Sequence, residues 1–174
     1  MNIKHLTILP VILTILCVSC KDRTPIVDIE PEASTLVKEN MINANRVVIQ
    51  SESTQIEGYI QRRGWEVQQL NNGEYYWEYT KGKNGAINPE DKVIVTYRLE
   101  ALDGTPIYTH QIDTLVVGHR DITMALDDLL PHLQYGSQAW LIAPSNSAYG
   151  VVGDGDRVTS RMVIIYNVTN IKKI

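Results

Sequence analysis

After Gly64 the side chains begin to alternate, and this change of period constrains the fold more than any other feature of the chain. Trp65, Val67 and Gln69 interleave with Glu66, Gln68 and Leu70. Asn71-Asn72-Gly73 follows as a turn that tolerates positive φ, and then Tyr75, Trp77 and Tyr79 interleave with Glu74, Tyr76 and Glu78. A period of two means strands with one face committed to a core. The pattern returns at Val93 to Glu100, where Val93, Val95, Tyr97 and Leu99 share a face, and after the Asp103-Gly104 turn it predicts two short pieces, Ile107 to His110 and Thr114 to Val117. Ser137 to Ala143 sets Ala139, Leu141 and Ala143 against Trp140 and Ile142, and a last strand from Arg161 to about Ile171 turns Met162, Ile164, Tyr166 and Val168 inward.

Between these strands a single stretch has helical spacing. Ile122, Leu126, Leu129, Leu130 and Leu133 fall on one side of a helix, which Pro131 ends or kinks because it lacks a backbone donor. The expected fold class is α+β: an antiparallel sheet wrapped around one short amphipathic helix, since neither apolar surface can stay wet alone. Ala33 to Arg63 also reads as helical, with Leu36, Val37, Met41, Val47, Val48, Ile56, Tyr59 and Ile60 spaced loosely by threes and fours. Its polar stretch Ser51 to Gln55 allows a break, and Gly64 after Arg62-Arg63 supplies a stop. The expected organisation is a signal peptide over 1–19, a tether over 20–31, a helical extension over 32–64, and a folded domain over 65–174.

The N-terminal segment sets the compartment. Leu6 to Val18 is apolar but shorter than the roughly 20 residues that a membrane span needs. It ends in Leu16-Cys17-Val18-Ser19-Cys20 and then Lys21-Asp22-Arg23, which resembles the bacterial lipoprotein cleavage box with Cys20 as the lipidated residue. The alternative is an ordinary secreted protein with incidental cysteines. With Cys20 acylated and Cys17 removed, no cysteine is left for a disulfide, a thiolate nucleophile or a metal site. The implied setting is a bacterial cell envelope, outer membrane, with the protein held at the membrane by its N-terminal lipid.

Charge and polar chemistry then exclude several classes of function. Lys+Arg is 16 against Asp+Glu 20, a net charge of -4 with no basic cluster, which disfavours nucleic acid. His110, His119 and His132 have no partner at a hydrolase or metal-ligand spacing. Asp127-Asp128 reads as the solvated side of the short helix. Gly153-Asp154-Gly155-Asp156 lacks the further ligands of a calcium loop and reads as a turn. No metal and no cofactor are expected. What remains is a shallow apolar cleft bounded by Tyr97, Ile122, Leu126 and Tyr149, unless all four are simply core.

Several segments of the second half follow one another in a specific order. They are Asp91-Lys92-Val93-Ile94-Val95-Thr96-Tyr97, Leu102-Asp103-Gly104, Val116-Val117-Gly118 and Leu133-Gln134-Tyr135-Gly136-Ser137. The last is Ile142-Ala143-Pro144-Ser145-Asn146-Ser147-Ala148-Tyr149-Gly150. From about Pro89 to Ile174 the chain thereby resembles the FK506-binding-protein (FKBP) type of peptidyl-prolyl cis-trans isomerase domain. The Arg62-Arg63-Gly64-Trp65 segment and the Tyr-rich hairpin are similar to FKBP-like lipoproteins of Bacteroidetes, including those associated with gliding motility.

The resemblance implies a pocket that takes a proline ring. Tyr97 matches a tyrosine of its wall, Ile122 the aliphatic residue before the helix, and Tyr149 the tyrosine whose hydroxyl bonds the substrate carbonyl. The backbone N–H of Thr123 corresponds to one that bonds a ligand carbonyl. Ile107 and Ile164 stand where the family has phenylalanines, and Leu126 where it has the tryptophan of the floor. Tyr108 replaces an aspartate that orients the polar edge, and Asp113 aligns loosely with an aromatic at the rim. Two functions remain open at this point. One is isomerisation of X-Pro bonds in cell-envelope proteins, and the other is a catalytically silent FKBP-fold lipoprotein that binds partners or acts as a chaperone. Client proteins and oligomeric state are not written in the sequence.

Overall fold

The structure is a computed structural model that describes residues 31–174, with side chains from residue 35. The expected signal peptide, Cys20 and the expected tether up to residue 30 lie outside the described residues. The chain divides into two units, 1–41 and 42–174, and the second holds the sheet.

Helix α1 runs without interruption over Pro31–Arg63. The break expected at Ser51 to Gln55 does not occur, because these polar side chains bond within the helix itself. Thr54 donates to the Gln50 carbonyl at 3.0 Å, Gln55 to the Ser51 hydroxyl at 3.2 Å and Ser53 to Glu57 at 3.1 Å. The stop falls where expected: Gly64 turns to φ +64° and its N–H donates to the Ile60 carbonyl at 2.9 Å.

Six strands follow: β1 (Gln68–Gln69), β2 (Tyr75–Thr80), β3 (Lys92–Ala101), β4 (Pro106–Val116), β5 (Gln138–Ala143) and β6 (Ile164–Lys173). They form one antiparallel sheet in the order β1-β2-β5-β6-β3-β4. Three boundaries differ from expectation. The alternating stretch from Trp65 to Leu70 pairs only over Gln68–Gln69, opposite Tyr75 and Tyr76. The two short pieces between Ile107 and Val117 are one strand, because β4 is an edge strand whose polar middle residues face water while the backbone stays paired with β3 from Val116 back to Pro106. The last strand starts at Ile164 and not at Arg161, whose φ of +55° is outside the strand region.

The alternation of β5 and β6 separates two cores. Ala139, Leu141, Ala143, Ile164, Tyr166 and Val168 point to one face, with Val93, Val95, Tyr97 and Leu99 of β3. There the short helix α2 (Met124–Leu129) and the following 3-10 turn (Leu130–His132) insert Leu126, Leu129 and Leu130. Pro131 lies in the first residues of that turn, where its missing N–H costs no bond. Ile142, Val163 and Ile165 point to the other face and meet Ile56 and Tyr59 of α1. Beside them Trp65 packs on Trp140 and Trp77 with ring centroids 5.2 and 5.5 Å away, and the Arg98 guanidinium lies over Trp140 at 5.2 Å. The stretch of α1 after residue 42 is therefore a layer of the folded unit, on the sheet face opposite α2.

Candidate functional site

Three tyrosines meet at the foot of α2. Tyr97 comes from the middle of β3, where the pairing register slips against both β4 and β6. Such irregularities bend a strand and re-aim a side chain. Tyr166 comes from β6, with its ring centroid 5.7 Å from that of Tyr97. Tyr149 arrives on the Pro144–Gly150 loop, and its phenol interacts electrostatically with those of Tyr97 and Tyr166. Tyr166 is fully buried and Tyr97 nearly so, while Tyr149 is half-buried at the rim.

Two further side chains fix the cluster. Tyr97 donates to Asp113 Oδ2 at 2.6 Å, and the Tyr166 hydroxyl pairs with Thr123 Oγ1 at 3.0 Å. Thr123 is also the N-cap of α2, accepting the Leu126 N–H at 3.4 Å. A phenol carries a single proton. Tyr97 commits its proton to Asp113, so toward Tyr149 it presents a lone pair. Tyr149 keeps its own proton for Tyr97, for Tyr166 or for a group arriving from solvent.

Burial, which disfavours a phenolate, holds all three tyrosines above the ordinary phenol range; for Tyr97 the Asp113 carboxylate adds to the effect. The cluster is therefore neutral at any physiological pH and acts through donated hydrogen bonds, not through ionisation.

The segment before α2 is held from behind. Asp127 Oδ1 accepts the Gly118 N–H at 2.8 Å and Oδ2 that of Arg120 at 3.2 Å, while Asp121 accepts the Val116 N–H at 2.8 Å. Gly118 and Arg120 both have positive φ, 97° and 57°, so the turn leading to Ile122 is tight and needs these acceptors. This corrects the reading of Asp127 as solvated: it is 8% exposed, and its place on α2 lets it reach back over the turn. Asp128 does face outward, accepting from Asn72 Nδ2 at 2.7 Å.

The predicted residues fall into two layers. Ile122, Tyr108 and Tyr149 are partly exposed and pack on the core that contains Tyr97, Ile107, Leu126 and Ile164. Leu126 and Ile164 have no exposed surface, so here they support the site from beneath and do not face a ligand. The aromatic ring beside Tyr97 and Tyr149 belongs to Tyr166, two positions along β6 from Ile164 and on the same face. The period-two pattern had put both residues inward, so the alternation alone could have proposed Tyr166. Asp113 was read as a rim position and is instead the acceptor for Tyr97. It offered no signal, since an isolated Asp on an edge strand looks solvated.

Tyr108 is occupied elsewhere. Its hydroxyl donates to Asp154 at 2.6 Å and reaches Asp156 at 3.2 Å, and the Arg157 guanidinium lies over its ring at 5.3 Å while bonding the Ile107 carbonyl at 3.2 Å. The hydrogen bond to Asp154 pushes the Tyr108 phenol up to about 12. Asp154 also accepts the N–H groups of Asp156 and Val158, so Gly153-Asp154-Gly155-Asp156 is a turn tied to β4 at the edge of the site. Of the histidines, His119 pairs with Glu90 at 3.1 Å on the surface and His132 lies 5.8 Å from the Tyr76 ring. Among the described residues no cluster of three or more metal-ligating side chains is present.

No protein-family model and no curated protein matches the chain in sequence. Solved structures match it by shape. A peptidyl-prolyl cis-trans isomerase from Pseudomonas syringae pv. tomato superposes with a TM-score of 0.59 at 22% identity, over 74% of this chain and 92% of that one. FkpA from Escherichia coli gives 0.58 at 17%, over 87% and 76%. AtFKBP13 gives 0.56 at 17%, over 63% and 99%. With the sheet, the inserted short helix and the tyrosine loop in place, the chain has the FKBP-like α+β fold.

Proposed function

We propose that the protein is a peptidyl-prolyl cis-trans isomerase that acts on X-Pro bonds of cell-envelope proteins. The observation that carries this reading is the neutral tyrosine cluster: a half-buried Tyr149 that packs, like Ile122, on the edge of the core, with Tyr97 locked by Asp113 and Tyr166 by Thr123. Rotating an X-Pro bond means crossing a barrier of about 18–20 kcal/mol set by amide resonance. An apolar surface that desolvates the carbonyl weakens that resonance, and a donor that bonds the twisted amide better than either planar form lowers the barrier further. Ile122 and the rim of the core supply the apolar contact, and Tyr149 supplies the donor. Because Tyr97 donates to Asp113, it does not donate to Tyr149, whose proton stays available to a substrate carbonyl. Neither a proton transfer nor a cofactor is required.

In the same reading the chain is anchored at the outer membrane through a lipid on Cys20, and its substrates are proline-containing envelope polypeptides. The anchor and the kinship with FKBP-like lipoproteins of Bacteroidetes rest on the lipoprotein box and on the Tyr-rich hairpin.

A second reading has its own support. Leu126 and Ile164 are sealed from solvent and Tyr108 is tied to Asp154, so two of the residues expected to line the pocket are closed to a ligand and a third is committed elsewhere. A surface of this kind suits a chaperone or a binding module that holds proline segments without turning them quickly. A protease-coupled assay on an Ala-Pro peptide separates the two. Isomerase function predicts acceleration that Tyr149→Phe reduces by about tenfold, the equivalent of about 1.4 kcal/mol. Peptide binding with no acceleration by the wild type selects the silent module.

A further inference from the structure

Glu52 lies in the part of α1 that the sequence marks as polar, yet it is only 5% exposed. Both its oxygens are used on one residue: Oε2 accepts the Ser145 N–H at 2.8 Å and Oε1 accepts the Ser145 hydroxyl at 2.6 Å. Such short, charge-assisted bonds to a buried carboxylate are among the stronger ones in a protein, and they fix direction as well as distance. Ser145 is the pivot of the loop that carries Tyr149. Its own carbonyl accepts the Gly150 N–H at 2.7 Å, and the Gly150 carbonyl accepts the Arg161 N–H at 2.9 Å. Gly150 takes φ +65°, so the chain turns sharply just after Tyr149. On the other side, the Ser147 carbonyl accepts the Ala125 N–H of α2 at 2.9 Å. The loop is thus held by α2 at Ser147 and by α1 at Ser145, with Tyr149 between Ser147 and the Gly150 turn.

We propose that Glu52 of α1 is a positioning residue for the Tyr149 loop, acting through Ser145, and that this stretch of the N-terminal helix is thereby part of the catalytic unit. The inference rests on the reading of Tyr149 as the group that meets the substrate. Its physical content is narrower: without the carboxylate, Ser145 loses the acceptor for its N–H and for its hydroxyl, and the 2.7 Å link to Gly150 no longer has a fixed end. A hydroxyl that must meet a substrate carbonyl cannot tolerate that freedom, since a misplacement of the order of 1 Å costs about 100-fold in rate.

The test measures amide hydrogen exchange and isomerase kinetics on the full chain and on Glu52→Ala, Glu52→Gln and Ser145→Ala. The proposal expects Glu52→Ala to speed exchange of the Ser145 to Gly150 amides at least tenfold while the amides of β3, β5 and β6 keep their protection. It expects kcat and kcat/KM to fall together by about tenfold with KM unchanged, the mark of an interaction made in the transition state. Glu52→Gln, which keeps an acceptor for the Ser145 N–H, restores most of both. Loop exchange at the wild-type rate in Glu52→Ala overturns the proposal. If Glu52→Ala unfolds, Ser145→Ala decides: faster exchange confined to the loop supports the positioning role, and wild-type loop exchange overturns it. A wild type that turns over no proline peptide defeats the isomerase reading alone, and the exchange arm still decides whether Glu52 holds the loop.

Discussion

The site works as a row of hydroxyls closed at each end, with Asp113 taking the Tyr97 proton and Thr123 holding Tyr166. Its ends can be opened one at a time. Asp113→Ala leaves the buried Tyr97 hydroxyl without its carboxylate acceptor, and the expected loss of stability is about 1–3 kcal/mol, read as a lower urea midpoint at unchanged slope. Asp113→Asn keeps an oxygen at the same place and costs less than half as much. Should the two variants be equally stable, Asp113 is not the group that orders Tyr97. The inward place of Tyr97 was legible from the alternation of β3 and that of Ile122 from the helical spacing, whereas Tyr149, in a loop without a period, was singled out only by resemblance. Asp113, Asp127 and Glu52 were not legible. Their burial depends on satisfying hydrogen bonds from distant segments, and hydrophobic periodicity carries no trace of those partners.

The elements were easier to read than their edges. Alternation in β3, β5 and β6 foretold which face each side chain takes, since a register slip by one residue would expose the whole set. The two-residue β1 and the unbroken β4 depend on what lies beside them, and the same is true of the polar middle of α1. The later part of α1 packs on the sheet through Ile56 and Tyr59, buried against Ile142, Val163 and Ile165, whereas Val47 is 68% exposed. Ile56→Ala should therefore destabilise the protein by about 2–5 kcal/mol, and Val47→Ala should leave it nearly unchanged. Chemical denaturation of the two variants checks this. Equal and small effects would mean that α1 contributes nothing to the folded unit beyond its own helix.

For the molecule as a whole, titration behaviour follows from the buried phenols. Tyr97, Tyr149 and Tyr166 are all held above the ordinary value of 10.0, so the folded state retains protons that the unfolded chain gives up. The linkage has one sign: the stability they contribute is complete below pH 10 and is lost as pH rises beyond it. Melting temperature should therefore fall steeply only above about pH 10 on the account of these groups, and Tyr149→Phe should make the fall shallower. The same neutrality implies that the turnover of a proline peptide is not governed by tyrosine ionisation between pH 6 and 9, a window well below the phenol range.

The most direct measurement is two-dimensional exchange NMR on an Ala-Pro peptide with catalytic amounts of the full protein. The account predicts cis–trans exchange faster than in peptide alone, rising in proportion to protein concentration and reduced by Tyr149→Phe. An exchange rate equal to that of the free peptide at every protein concentration would contradict it.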